Sequence, residues 1–72
     1  MIADVRERLL DVPFVPFVVR TSDGREYPVP TRDHAHILPR GNRVVIFLDS
    51  GPAVLFGPLH INSIVDQQTD GE

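Results

Sequence analysis

Between Arg43 and Val65 the chain runs through three apolar segments, Val44 to Leu48, Ala53 to Phe56 and Ile61 to Val65. They are divided by Asp49-Ser50-Gly51-Pro52 and by Gly57-Pro58. Runs of this length, rich in Val, Ile and Phe and bounded by Gly and Pro, read as strands buried on both faces. They predict a β meander at the centre of a small core, and every other segment must pack against it.

A chain of 72 residues has room for one domain, near the lower size at which one core sustains itself. It has no cysteine, which excludes disulfides and thiolate zinc sites. Extra stability must then come from close packing or from association with further copies, so a homo-oligomer is expected. The net charge of −3 belongs to the C-terminus: residues 1–65 carry seven Arg against seven acids, and the excess is Asp66, Asp70 and Glu72. No apolar run approaches the roughly 18 residues of a membrane span, and the N-terminus lacks a signal-peptide pattern. The expectation is a soluble cytoplasmic chain with no membrane contact, with one domain over 1–66 and a polar acidic tail over 67–72.

From Ile2 to Val12 the residues Ile2, Val5, Leu9 and Val12 recur at spacings of three and four, which predicts one amphipathic helix over about 2–12. Pro13 ends it by disfavouring helical geometry at Val12. A helix this short is unstable alone in water, so its apolar stripe must dock on its own sheet or on a neighbouring subunit. Ile2, Val5, Leu9 and Phe14 are therefore candidates for an interaction surface. Phe14 and Phe17 are otherwise expected to plug one end of the core.

Phe17 to Thr21 alternates as a strand, Asp23-Gly24 supplies the positive φ of a tight hairpin, and Arg25 to Pro30 returns with Tyr27 and Val29 inward. Pro28 and Pro30 lack N–H groups on the same side of that strand, which predicts an edge or a strong bend. His34 to Leu38 reads as a short strand, Pro39 to Asn42 as a turn, and the last strand lies near Asn62 to Asp66.

A short helix followed by about five strands, with Asp23-Gly24 in the first hairpin and a tight turn from Gly57 to His60, resembles the layout of Sm-like small β-barrels. The segments Pro13-Phe14-Val15-Pro16-Phe17, Ser22-Asp23-Gly24-Arg25 and Leu59-His60-Ile61 with Ile64 also resemble a group of small, functionally uncharacterised bacterial proteins. The first resemblance implies a mainly β fold, a small, strongly bent five-stranded barrel of Sm-like or SH3-like type with one N-terminal helix. It also implies a ring of subunits that binds RNA. The bacterial Sm-like pattern carries a Lys-His pair near the final turn, and Leu59-His60 here matches it at His60 alone.

Arg20, Arg25, Arg32, Arg40 and Arg43 crowd the middle of the chain and, with His60, are the candidate nucleic-acid contacts. Turns gathered on one rim and multiplied by a ring would build a positive patch. Solvated Arg side chains paired with neighbouring acids are the plainer reading. His34 and His36 sit two apart, and a strand would place both imidazoles on one face within reach of a shared divalent metal. No Gly-rich phosphate loop, paired carboxylate or nucleophile elbow is present, and Asp49, Ser50 and His60 make no recognisable triad signature. No cofactor is implied. These observations favour a non-enzymatic, self-associating interaction module, with RNA binding and weak metal binding as alternatives.

Overall fold

The computed structural model describes residues 2–40 and 42–66, so the expected tail over 67–72 lies outside the described residues. Helix α1 spans Ile2–Leu10. The strands are β1 Phe17–Thr21, β2 Glu26–Val29, β3 Ala35–Ile37, β4 Val44–Phe47, β5 Ala53–Phe56 and β6 Ile61–Asp66. One-turn 3-10 helices at Arg32–His34 and Pro58–His60 precede β3 and β6.

The strands form two antiparallel three-stranded sheets, ordered β2-β1-β6 and β3-β4-β5. This overturns the five-stranded Sm-like or SH3-like barrel: the described residues form six strands, and their two sheets stay open. A closed barrel needs two partners for every strand. Here β2 pairs with β1 alone and β5 with β4 alone. Pro28 is paired to Val18 from the edge strand β2, where its missing N–H costs no ladder bond. Beyond it, Pro30, Thr31 and the 3-10 turn carry the chain from one sheet to the other, so no continuous bent strand joins them.

The core lies between the sheets. Phe17, Val19 and Val29 come from one sheet, Val44, Ile46 and Phe56 from the other, and all six are buried. The central runs are not buried on both faces as expected. Along β4, Val44 and Ile46 are buried while Val45 is half-buried and Phe47 exposed, because nothing described covers the outer side of that sheet. Period-two alternation therefore governs a segment whose composition is apolar throughout.

Helix α1 docks on its own chain. Val5 is fully buried and Ile2 nearly so within the same core, and α1 packs beside β3. Arg8 reaches from the helix over the Phe17 ring, 5.1 Å from its centroid, and pairs with Asp66 at the end of β6. The helix thus covers the side of the sandwich where β3 and β6 end the two sheets. It is shorter than the expected 2–12, since Asp11 and Val12 fall outside it ahead of Pro13.

Arg32 fastens the end of that helix. Its Nε donates to the Leu9 carbonyl at 2.9 Å, a second N–H donates to the Asp11 carbonyl, and the guanidinium lies 5.3 Å from the Phe14 ring centroid. Carbonyls at a helix C-terminus lack intrahelical partners and carry the negative end of the dipole, so a guanidinium is well matched there.

Candidate functional site

The side of the sandwich opposite α1 is open. There Tyr27 of β2 stacks on Phe56 of β5, with ring centroids 5.7 Å apart, and the rings floor a groove of about 250 Å³. Its walls are Thr21, Ser22 and Asp23 from the first hairpin, Val54, Leu55 and Phe56 from β5, and His60. Successive strand side chains point to opposite faces. Three consecutive residues of β5 can line one groove only if it runs along the strand's free edge. A second recess of about 290 Å³ adjoins it, sharing Leu55, Phe56 and His60 and adding Arg43 and Gly57.

Local chemistry shapes the hairpin wall. Gly24 takes φ +88°, and its N–H donates to the Thr21 carbonyl at 3.0 Å. The buried Thr21 hydroxyl donates to Asp23, and the Arg25 N–H reaches the same carboxylate oxygen at 3.3 Å. The Thr21 hydroxyl first, and the Arg25 amide after it, hold the Asp23 carboxyl below its ordinary value of 3.8. The Ser22 N–H donates to the His60 carbonyl at 2.7 Å, carrying the β1–β6 pairing past Thr21 and Ile61 to the groove.

The structure gathers some sequence candidates and separates others. Arg43 and His60 share the groove end, and both are exposed. Arg20 pairs with Glu26 at 2.9 Å and Arg25 with Asp23 at 3.6 Å, whereas Arg40 and Arg43 make no ion pair among the described residues. Arg32 is engaged at the helix end, so the five arginines do not form one patch. Burial withdraws Ile2 and Val5 from the expected interaction surface, and Leu9 and Phe14 are half-buried against the core.

The expected His34–His36 strand pair is also not formed. His34 closes the 3-10 turn, with Nδ1 2.8 Å from the Thr31 hydroxyl and Nε2 2.7 Å from Asp49, while His36 is exposed in β3. With the proton on Nε2, the imidazole accepts from Thr31 and donates to Asp49, so both nitrogens are used to pin two loops together. No group of three or more His, Cys, Asp or Glu among the described residues is placed to hold a metal ion.

A second surface escaped sequence reasoning. On the outer face of the β3-β4-β5 sheet, Val45 and Leu55 are paired neighbours, with Phe47 and Ala53 the next outward row. Phe47 is 47% and Leu55 51% exposed. The faint signal for it is the unbroken apolar run Val44–Phe47, longer in apolar residues than a one-sided strand requires. No described helix is long and apolar enough to cross a membrane. Comparison of the chain with protein-family models, with curated proteins and with solved structures finds no match.

Proposed function

We propose that the chain is a non-enzymatic interaction module of the cytoplasm, which associates with a second copy of itself through the outer face of the β3-β4-β5 sheet. The observation that carries this reading is the uncharged cluster of Val45, Phe47, Ala53 and Leu55 on a face that nothing in the described chain covers. Two such faces are self-complementary about a two-fold axis and can stack as sheets about 10 Å apart. The cysteine-free composition fits a reducing compartment.

Nucleic-acid binding draws less support, because Arg20, Arg25 and Arg32 are already engaged within the chain. Catalysis draws less still. Thr31, His34 and Asp49 form a hydrogen-bonded chain, but Thr31 and Asp49 are exposed and the imidazole serves as a tie between turns.

Light scattering on a sizing column, run as a dilution series, tests the proposal. The mass should rise from one chain toward two as concentration increases, and Phe47→Glu should hold it at one. A wild-type monomer at every concentration, or an assembly indifferent to Phe47→Glu, refutes it.

A further inference from the structure

Open sheets leave four edge strands, β2, β6, β3 and β5, and three of them are protected. Strand β2 carries Pro28 and Glu26. Helix α1 lies alongside β6, bringing Asp4, Glu7 and Arg8 beside Ser63 and Ile64, and it also packs against the three-residue β3. Charge, proline and cover are the usual means of keeping an edge from pairing. Strand β5, Ala53-Val54-Leu55-Phe56, has none of them within its length and faces the groove.

The ladder's phase tells which backbone groups face outward. The Leu48 N–H donates to the Pro52 carbonyl at 2.9 Å, making Leu48 and Pro52 a hydrogen-bonded pair. Such pairs alternate along an antiparallel ladder. In the observed register, Val54 and Phe56 then turn their N–H and C=O toward β4, and Ala53 and Leu55 turn theirs into the groove. The Leu38 N–H to Arg43 carbonyl bond, also 2.9 Å, gives the same phase from the other side of β4. Gly57, extended at φ −89° and ψ 174°, continues the edge.

We propose that this groove receives an extended peptide of another protein, added antiparallel to β5 and led by an acidic residue. Charge selects the acid at the end of the groove, where Arg43 stands without an acidic partner among the described residues and His60 lies beside it. Arg43 occupies the same cross-strand row as Gly57 and points to the outer face. In an antiparallel strand the residue opposite Gly57 is the first bound, and its side chain also points to that face. An acid there meets the guanidinium. The second and fourth peptide residues, opposite Phe56 and Val54, point inward to the Tyr27–Phe56 floor and should be apolar. The third, opposite Leu55, exchanges both backbone hydrogen bonds with it.

The proposal uses the edge of the sheet, and the self-association above uses its outer face, so the two are separable. The probe is acetyl-Glu-Val-Thr-Val-Thr-amide, titrated into the protein while backbone amide NMR signals are followed. Saturable shifts confined to residues 21–23, 27, 43, 53–57 and 60 are expected. Replacing the peptide's Glu by Lys, or Arg43→Glu in the protein, should weaken binding roughly fivefold, as befits a partly exposed ion pair. Proline at the peptide's third position should abolish it. Leu55→Pro should abolish it as well while the protein stays folded, because the amide it removes is not used by β4. Phe47→Glu should bind the peptide unchanged even where it disrupts self-association. Absence of binding, equal binding of the reversed sequence, or shifts centred on β2 or β6 would overturn the proposal.

Discussion

Replacing Phe47 by Ala removes the largest exposed side chain of the outer sheet face without touching the core. Full burial of a Phe or Leu side chain stabilises by about 1.5–3 kcal/mol relative to exposure. With Phe47 47% and Leu55 51% exposed, each has about 1 kcal/mol of that burial left to gain. Four such side chains across a two-fold interface supply about 4 kcal/mol, at the low end of the 4–15 kcal/mol that association costs. Val45 and Ala53, each present twice, add at most about as much again, so the dimer is weak, with a dissociation constant no tighter than about 1 mM. Phe47→Ala removes the contribution twice per dimer, about 2 kcal/mol, and should raise the dissociation constant about thirtyfold. Because about half of the ring is already covered in the monomer, the unfolding free energy read from urea denaturation at monomeric concentration should fall by no more than about 1 kcal/mol. Sedimentation equilibrium reads the first quantity and denaturation the second. A dimer unaffected by Phe47→Ala, or a variant that loses folding stability in step with association, would show that the ring serves the core and not an interface.

Val5 is fully buried where α1 meets the sheets, so Val5→Ala should cost about 2 kcal/mol and lower the urea midpoint, while an exposed neighbour such as Arg6→Ala should not. Arg32→Ala removes both side-chain bonds to the helix-end carbonyls; a loss of about 1 kcal/mol and faster amide exchange across α1 are expected, and unchanged exchange would refute the fastening role. The Asp23 carboxyl titrates below 3.8 when folded, so it stabilises the fold above that value, and the gain is lost as pH falls through the folded pKa. Thr21→Val should therefore narrow the stability difference between neutral and acid solution, and a difference that widens in acid would contradict the assignment.

Several elements were legible in the residues because their causes are local. Pro13 stops α1, Gly24 supplies the left-handed turn of the first hairpin, and Pro28 restricts β2 to an edge or a bend. Each follows from steric limits or a missing donor at one position. The Ile2, Val5, Leu9 stripe likewise announced a docked helix, since its spacing is a property of the helix itself. The stripe did not say which surface it would meet, and burial of Val5 in its own core answers that.

Barrel closure was misread for a different reason. Turn signals identify which strands are neighbours along the chain, whereas closure depends on pairing between distant strands. His34 shows the same limit at one residue: its partner Asp49 lies 15 positions away, across the β3-β4-β5 sheet, and no local pattern links them. Arg32 was counted with the exposed cations, although its charge is spent on carbonyls more than 20 positions earlier.

The amino-acid order alone determined the mainly β character, the N-terminal helix, the hairpin at Asp23-Gly24 and the restriction of the Pro28 strand to an edge or a bend, because proline, glycine and apolar spacing act over a few bonds. Tertiary structure alone decided that the sheets stay open, that α1 covers one opening and leaves the other, and that β5 with Arg43 and His60 borders a groove. Those outcomes turn on which distant backbone groups find partners, a competition that is settled only when the whole chain has packed.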